Sequence, residues 1–370
     1  MIRVTLLIPT LDRSGAEKQL TLLATALPRD EFDVEVVALT RSGPYAAELE
    51  QASVPLTVLG KRWKFDPSCL RRLKRHLRER QPDVLHTWLF AANAYGRLAL
   101  PRINAPKVIV SERCVDSWKA GWQLWLDRKL IPRTDLLVGN SQAVADFYES
   151  VGVPLDRLAV VQNGIERPPM PQQSREEFRR SLGLEPSTKV VGFVGRLAPQ
   201  KRLKDLLWSF ELLSNLEHEH VAFVIAGDGP QRHELEEFAR NIRCLDQVRF
   251  LGHRDDAASL ISLFDVFWLA SDFEGQSNSL LEAMASGVPC VVSDIPANVE
   301  VVTHKQTGLV VPTGDRVAFT KAADRLFREA DFANQLGQSA QEYCRETLSV
   351  ERMVGEYARL YRDVADRNES

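Results

Sequence analysis

Residues 271–289, SDFEGQSNSLLEAMASGVP, indicate how the chain folds. The apolar run before them, residues 265–270, has the length and flanks of a buried β-strand. Gly275 interrupts that run, and Ser277 is suited to cap a helix whose apolar residues follow it. The stretch therefore predicts a strand, a loop and a helix, which is the repeating unit of a parallel α/β sheet.

Two carboxylates stand out in this stretch. Glu274 falls in the predicted loop, at the carboxyl edge of the sheet, where open α/β sheets bind their ligands. Glu282 falls in the helix among apolar neighbours. Carboxylate oxygens accept hydrogen bonds from sugar or ribose hydroxyls, so the pair indicates a carbohydrate or nucleotide ligand. The alternative for Glu282 is an ordinary solvated helix residue.

A second stretch, residues 190–201, VVGFVGRLAPQK, predicts a strand followed by a loop with two cations, Arg196 and Lys201. Two cations at a sheet edge suit a diphosphate, whose negative charge grows as its bond to a sugar breaks. A surface pair without a ligand is the alternative. Further on, Gly229 follows another predicted strand, and a glycine there permits a close backbone approach.

The first half of the chain repeats the alternation of strands and helices. Gly15 lies in a small-residue loop after the first predicted strand, where backbone N–H groups could approach an anion, although a plain tight turn fits equally well. His86 lies near the carboxyl end of a strand predicted for residues 83–88. A single histidine is more often structural than catalytic, but this is where ligands of such sheets bind.

The two stretches resemble the signatures of the GT4-type retaining glycosyltransferases, which have the GT-B fold. The carboxylates with the following AMASGVP resemble one family element, and GRLAPQK resembles its Gly-Arg-Leu-x-x-x-Lys element. The resemblance implies that Glu282 binds the ribose hydroxyls of a sugar nucleotide and that Glu274 contacts the transferred sugar. It also implies that Arg196 and Lys201 stabilise the leaving diphosphate.

The resemblance extends to the first half. It implies that the loop of Gly15 lines the cleft near the phosphates and the acceptor, that His86 faces the donor sugar or the acceptor, and that residues 251–254 lie near the base. Further donor-binding positions are expected in the same loops: Gly195, Gly229, Leu251, Gly275, Ser277, Asn278 and Leu280.

The implied reaction moves a hexose-type sugar from a UDP- or GDP-sugar to a glycan or lipid-linked acceptor, and in this family the diphosphate itself helps to take the acceptor proton. We expect no cofactor and no metal, because no Asp-x-Asp element ends a predicted strand and two cations can carry the charge. An epimerase or phosphorylase on the same fold, and a non-catalytic sugar-nucleotide-binding protein, are alternatives. A dehydrogenase is disfavoured because the first βα turn lacks the three-glycine fingerprint.

The 370 residues suffice for two domains, and three prolines between residues 168 and 171 mark a linker. We predict an α/β GT-B protein with two doubly wound Rossmann-like domains facing across a cleft. Residues 1–166 would bind the acceptor, 167–185 would form the linker, and 186–348 would bind the sugar nucleotide. Residues 349–370 would pack back on the first domain.

Residues 61–80 are strongly basic, although the net charge of −3 gives no indication of nucleic-acid binding. They predict either a solvated helix face with its leucines buried or a basic amphipathic helix on anionic lipid. Trp118, Trp122 and Trp125 share one predicted helix face. That face either packs its indoles on the sheet or anchors in a lipid headgroup zone.

Five scattered cysteines without a C-x-x-C pair favour a reducing cytoplasm. The chain begins without the pattern of a signal peptide and contains no apolar run of membrane-spanning length. We therefore expect a cytoplasmic protein that is at most peripheral on the inner face of the membrane. Synthesis of envelope or exported polysaccharide is expected by analogy with the family.

Overall fold

The computed structural model describes residues 1–101, 105–115, 119–216 and 220–366. Contacts within the chain divide it into two units. The first comprises Met1–Gly164 together with the chain from Leu348 onward, and the second comprises Ile165–Thr347. Each unit contains a parallel β-sheet with helices packed on it.

The first unit has the strand order β3-β2-β1-β4-β5-β6-β7, and all the paired strands are parallel. Its strands are β1 (Ile2–Ile8), β2 (Phe32–Ala38), β3 (Leu56–Val58), β4 (Val84–Trp88), β5 (Lys107–Glu112), β6 (Leu136–Gly139) and β7 (Leu158–Val160). Its helices before the crossing to the second unit are α1 (Gly15–Ala26), α2 (Ala46–Gln51), α3 (Pro67–Arg80), α4 (Leu89–Ala99), α5 (Gly121–Leu130) and α6 (Gln142–Val151). The winding reverses between β1 and β4, as it does in a doubly wound sheet.

The second unit has the order β10-β9-β8-β11-β12-β13, and its winding reverses between β8 and β11. Its helices are α7 (Arg175–Ser181), α8 (Leu203–Ser214), α9 (Arg232–Asn241), α10 (Ala257–Ile261), α11 (Asn278–Ala285), α12 (Pro296–Val299), α13 (Arg316–Arg328) and α14 (Ala330–Thr347). Its strands are β8 (Lys189–Val194), β9 (Val221–Ala226), β10 (Val248–Gly252), β11 (Val266–Leu269), β12 (Cys290–Ser293) and β13 (Leu309–Val311). The predicted α/β class with two doubly wound sheets is confirmed.

The last helix, α15 (Val350–Asp366), packs against α1, β1 and β4 of the first unit. Its residues Met353, Tyr357 and Tyr361 belong to the apolar core on that face of the sheet. Central strands are buried on both faces, as parallel sheets require, which explains why they read as continuous apolar runs. No helix in the described ranges has the length and hydropathy needed to cross a bilayer.

One predicted boundary, that of the linker, differs from the structure. The predicted linker contains α7, which belongs to the second unit because Arg179 pairs with Asp265 and Phe178 contacts Phe264. The last strand of the first unit, β7, ends at Val160. Beyond it, both the N–H and the carbonyl of Gly164 bond to the side chain of Gln19 in α1 instead of to a strand.

Candidate active site

The loops after β8 and β11 meet at the carboxyl edge of the second unit. These strands are neighbours on either side of the point where the winding reverses, which is the ligand-binding position of doubly wound sheets. The ammonium group of Lys201 donates a hydrogen bond to Oε1 of Glu274. Only 11% of the lysine side chain and 10% of the glutamate side chain are exposed. The structure thus joins two predicted site residues in one buried ion pair.

The turn that carries Lys201 is fastened to the loop after β11. Residues Pro199–Lys201 form a 3₁₀ turn, and the carbonyl of Gln200 accepts a 2.9 Å hydrogen bond from the backbone N–H of Asp272. Arg202 donates from Nη1 to Asp272 and from Nε to Asp205, both at 2.7 Å. These bonds fix the two loops relative to one another, so the position of the lysine does not depend on its own side chain alone.

A buried chain of small polar residues also holds Glu274, through the oxygen that Lys201 contacts. Ser271 Oγ donates to Glu274 Oε1 at 2.7 Å, and Ser293 Oγ donates to the carbonyl of Ser271 at 2.7 Å. Asn298 Nδ2 in turn donates to the carbonyl of Ser293 at 3.0 Å. Sequence reasoning gave none of these three residues a role. The available signal was a serine just after β11 and another at the end of β12, two neighbouring strands.

Arg196 lies in the same loop as Lys201 but in a different environment. Its side chain is exposed, and no residue in the described part of the chain forms an ion pair or side-chain hydrogen bond with it. Glu274 balances the charge of Lys201, so the two cations of this loop differ in their surroundings, and the contact of Arg196 with a diphosphate stays a prediction. A guanidinium group suits such a contact because it can donate two parallel hydrogen bonds to one phosphate.

Gly229 makes the close backbone approach that the sequence indicated for it. A Cβ atom there would lie 2.4 Å from the carbonyl oxygen of Leu197, in the loop of Arg196. The two loops are also joined by hydrogen bonds from Leu197 N to the carbonyl of Asp228 at 3.0 Å and from Gln231 N to the carbonyl of Leu197 at 3.1 Å. The glycine is therefore required for one loop to support the other, and its contact with a donor stays a prediction.

The remaining predicted donor-binding positions are distributed around these loops. Gly195 directly follows β8, and its N–H donates to the carbonyl of Ala226 at 3.0 Å. Leu251 is half-buried in β10, at the end of the strand order. Gly275 and Leu280 are buried, whereas Asn278 is half-buried. The roles of these positions in donor binding stay predictions.

Helix α11 begins where the sequence predicted, but its cap differs. Ser277 occupies the N-cap position, yet its hydroxyl makes no capping hydrogen bond and lies 3.2 Å from the hydroxyl of Ser279. Glu282 is buried within this helix, with 8% of the residue exposed, so it is not the solvated helix residue of the alternative interpretation. A buried acid on a helix beside the candidate site agrees with a role in binding hydroxyl groups.

The surroundings of His86 differ most from those that were predicted. It has no exposed surface, its Nδ1 lies 2.7 Å from the hydroxyl of Tyr361, and its Nε2 lies 2.8 Å from the hydroxyl of Ser111. Burial, together with the nearby charge of Arg113, lowers the pKa of His86 well below its ordinary value. Because both ring nitrogens are occupied, the structure does not present this histidine to a sugar, and we assign it a structural role under α15.

The loop after β1 contains an acid that sequence reasoning passed over. Gly15 begins α1, and Glu17 follows in its first turn with only 4% of the residue exposed. The hydroxyls of Ser14 and Thr10 donate to its carboxylate. Burial raises the pKa of Glu17. The sequence signal was an acid in the first turn of a helix, where the helix dipole favours negative charge.

Two doubly wound units, one of which joins a lysine and a glutamate at its ligand-binding edge, are the features of a GT-B glycosyltransferase. Two family models match the chain: Glycosyltransferase Family 4 over residues 13–167 and Glycosyl transferases group 1 over residues 174–343. The chain belongs to the GT4-type glycosyltransferases of the GT-B fold.

Similar proteins act in glycan synthesis. An α-1,4-N-acetyl-D-galactosaminyltransferase of Campylobacter jejuni, whose name gives a saccharide on PP-undecaprenol as acceptor, is 26% identical over 98% of this chain and 99% of its own. A UDP-Gal:α-D-GlcNAc-diphosphoundecaprenol α-1,3-galactosyltransferase of Escherichia coli is 26% identical over 81% of each chain. Anabaena HepE in complex with UDP-glucose has a TM-score of 0.88 at 20% identity, over 98% of this chain and 100% of its own. The chain is a glycosyltransferase of glycan biosynthesis.

Proposed function

We propose that the protein transfers a hexose from a UDP-sugar to a hydroxyl group of a glycan or lipid-linked acceptor, with retention of the anomeric configuration and without a metal. The observation that carries this proposal is the buried pair of Lys201 and Glu274 beside the exposed Arg196. The choice of uridine over guanosine is supported by the UDP-Gal in the name of the E. coli relative and by the UDP-glucose bound to HepE.

In the proposed reaction the acceptor oxygen forms a bond to the anomeric carbon as the bond from that carbon to the β-phosphate oxygen breaks. The electron pair of the broken bond stays on the phosphate oxygen, and the acceptor proton passes to the diphosphate. The products are the glycoside and UDP. Arg196 and Lys201 stabilise the negative charge that grows on the diphosphate, which is the work a divalent cation performs in other transferases.

The two acids bind the rest of the donor. Glu282 accepts hydrogen bonds from the ribose hydroxyls, and Glu274 accepts from hydroxyls of the transferred sugar. Glu274 also holds Lys201 in place through the ion pair that joins the two side chains. Ser271, by binding the same carboxylate oxygen, maintains the orientation of the acid.

The acceptor and the cellular setting follow from the relatives. The names of the two bacterial relatives each give an acceptor on an undecaprenol diphosphate. We therefore propose that the acceptor is a lipid-linked saccharide of envelope or exported polysaccharide synthesis. Action in the cytoplasm is supported by the cysteines, which are free thiols in the structure, four of them buried.

Two measurements test the proposal. Thermal unfolding with UDP, GDP and ADP, each with EDTA present, should give a selective rise with UDP; a ligand at a hundred times its dissociation constant adds about 2.7 kcal/mol of stability. UDP should then be released from UDP-glucose, UDP-galactose or their N-acetyl forms only when a lipid-linked acceptor is added. NMR of the product should show the same anomeric configuration as that of the sugar in the donor. Sugar conversion without an acceptor would instead indicate an epimerase, and the absence of any response to nucleotides would overturn the proposal.

A further inference from the structure

The first unit presents large aromatic side chains to solvent. Trp63, Phe65, Trp122 and Trp125 are 65%, 67%, 41% and 59% exposed. They come from the segment before α3 and from α5, yet the ring centroids of Phe65 and Trp122 are 6.0 Å apart. Exposed aromatic residues that gather from separate segments indicate a surface for a partner.

The exposure of the indoles excludes one of two alternatives for this helix face. We predicted that the tryptophan face of α5 either packs on the sheet or faces a lipid zone, and Trp122 and Trp125 do not pack on the sheet. The buried residues of α5 are Asp127 and Leu130, on another side of the helix. Trp118, the third residue of the predicted face, lies outside the described residues.

Uncompensated positive charge surrounds these rings. The ammonium group of Lys64 lies 5.0 Å from the centroid of the Trp122 ring. Helix α3 buries Cys69, Leu73 and Leu77 and turns a strongly basic face outward. In the described parts of the chain, the following cations have no carboxylate partner: Lys61, Arg62, Lys64, Arg71, Lys74 and Arg78.

The segment that carries Trp63 and Phe65 is anchored. The carboxylate of Asp66 accepts 3.0 Å hydrogen bonds from the backbone N–H groups of Arg62 and Cys69, and its own N–H donates to the hydroxyl of Tyr95 at 2.6 Å. The exposed rings are therefore presented from a fixed turn, which lowers the entropy that binding must remove.

We propose that residues 61–65, the outward face of α3, and Trp122 and Trp125 together form a surface that binds the headgroup region of an anionic lipid bilayer. Tryptophan is favoured at the boundary between lipid and water, and basic side chains are attracted to anionic headgroups. A soluble polyanion would account for the cations alone, whereas a bilayer accounts for both the cations and the exposed rings. Binding at this surface does not depend on the proposed reaction, and it would place the enzyme at a membrane.

Vesicle flotation tests the proposal without any sugar donor. The intact protein should float with vesicles that contain phosphatidylglycerol and phosphatidylcholine, should not float with phosphatidylcholine alone, and should dissociate in 1 M salt, where charge interactions are screened. Each basic residue near an anionic leaflet strengthens binding about five-fold, so losing three should weaken it on the order of 100-fold, and reversing their charge should weaken it by at least that much. The triple variant is Arg71→Glu, Lys74→Glu and Arg78→Glu.

A matched control carries the same change in net charge at exposed helical positions elsewhere, Arg240→Glu, Lys321→Glu and Arg359→Glu. It should float like the unaltered protein, whereas Trp63→Ala with Phe65→Ala should float less. Circular dichroism should give the same thermal midpoint for all these variants. The proposal would be overturned if the protein bound neutral vesicles as tightly as anionic ones, or if the control variant lost as much vesicle binding as the triple variant of α3. An aromatic variant that binds vesicles normally, or binding of a single-stranded oligonucleotide as tight as that of the vesicles, would also overturn it.

Discussion

Removing the charge of Lys201 should cost both stability and activity, whereas removing that of Arg196 should cost activity alone. Lys201→Met leaves the Glu274 carboxylate buried without its cation, although Ser271 still donates to it. Breaking a fully buried ion pair costs about 3–5 kcal/mol. Because about a tenth of each side chain is exposed, we expect a smaller loss of about 2–3 kcal/mol.

For a unit of this size that loss lowers the midpoint of thermal unfolding by about 4–12 °C. Lys201→Met with Glu274→Gln removes both charges and should recover at least half of the lost stability, since the uncompensated carboxylate is then absent. Arg196→Ala, at an exposed position, should change stability by less than about 0.5 kcal/mol. All three variants should lower kcat/KM for UDP release, with Arg196→Ala causing about a 100-fold to 1000-fold loss.

Thermal unfolding and UDP release should be measured on the same four preparations, including the unaltered protein. Lys201→Met should be clearly less stable than Arg196→Ala, whereas both variants should lose activity. An Arg196→Ala variant with a near-normal rate would refute the assignment of the diphosphate site. Equal stability of Lys201→Met and the unaltered protein, or purely additive losses in the double variant, would refute the buried ion pair.

Three further results are expected. Ser271→Ala removes a hydrogen bond to Glu274 and should lower kcat about ten-fold with little change in UDP affinity, as measured by calorimetry; an equal loss of affinity would contradict a positioning role. His86 has a folded-state pKa below its unfolded value, so the unfolded chain binds its proton first and stability should fall as the pH drops below about 6.5, by up to about 1.4 kcal/mol per pH unit. Urea unfolding at pH 7.5 and 5.5 should reveal a weaker dependence in His86→Gln, and identical dependence would exclude this cause. Gly229→Ala should lower the unfolding midpoint because the new methyl group meets a backbone oxygen, whereas Gly355→Ala, with open space around it in α15, should raise stability by about 0.5–1 kcal/mol.

The fold could be predicted because each strand and loop is indicated by the residues of its own short segment. Buried parallel strands read as short apolar runs, and glycines or polar loops end them, as in residues 190–195 and 222–229. The same rule placed Lys201 and Glu274 at one edge of a sheet. It could not predict their ion pair or the bonds through Ser271 and Ser293, because those contacts depend on which strands become neighbours and on the side-chain rotamers.

The prediction for His86 was wrong, and the alternatives for the tryptophan face stayed open, because distant or opposite surfaces decide both outcomes. His86 has the expected place in its strand, but Tyr361, 275 residues further along the chain, covers it. Helical spacing correctly grouped Trp122 with Trp125, yet spacing does not determine whether the shared face packs inward or faces solvent. In both cases local sequence fixed the direction of a side chain within its element, and tertiary packing determined what that side chain meets.

The donor site and the lipid surface should therefore respond differently to substitution. At the donor site, Lys201 and Glu274 share one buried hydrogen bond, so changes at the two positions are coupled and their free-energy effects should not add. On α3, the exposed cations Arg71 and Arg78 would each interact with the proposed bilayer through solvent, so their effects on lipid binding should add within about 0.5 kcal/mol. Single and double substitutions at each pair decide between these behaviours. Additive losses of free energy at Lys201 and Glu274, or strong coupling between Arg71 and Arg78, would mean that burial does not determine whether the effects of two substitutions add.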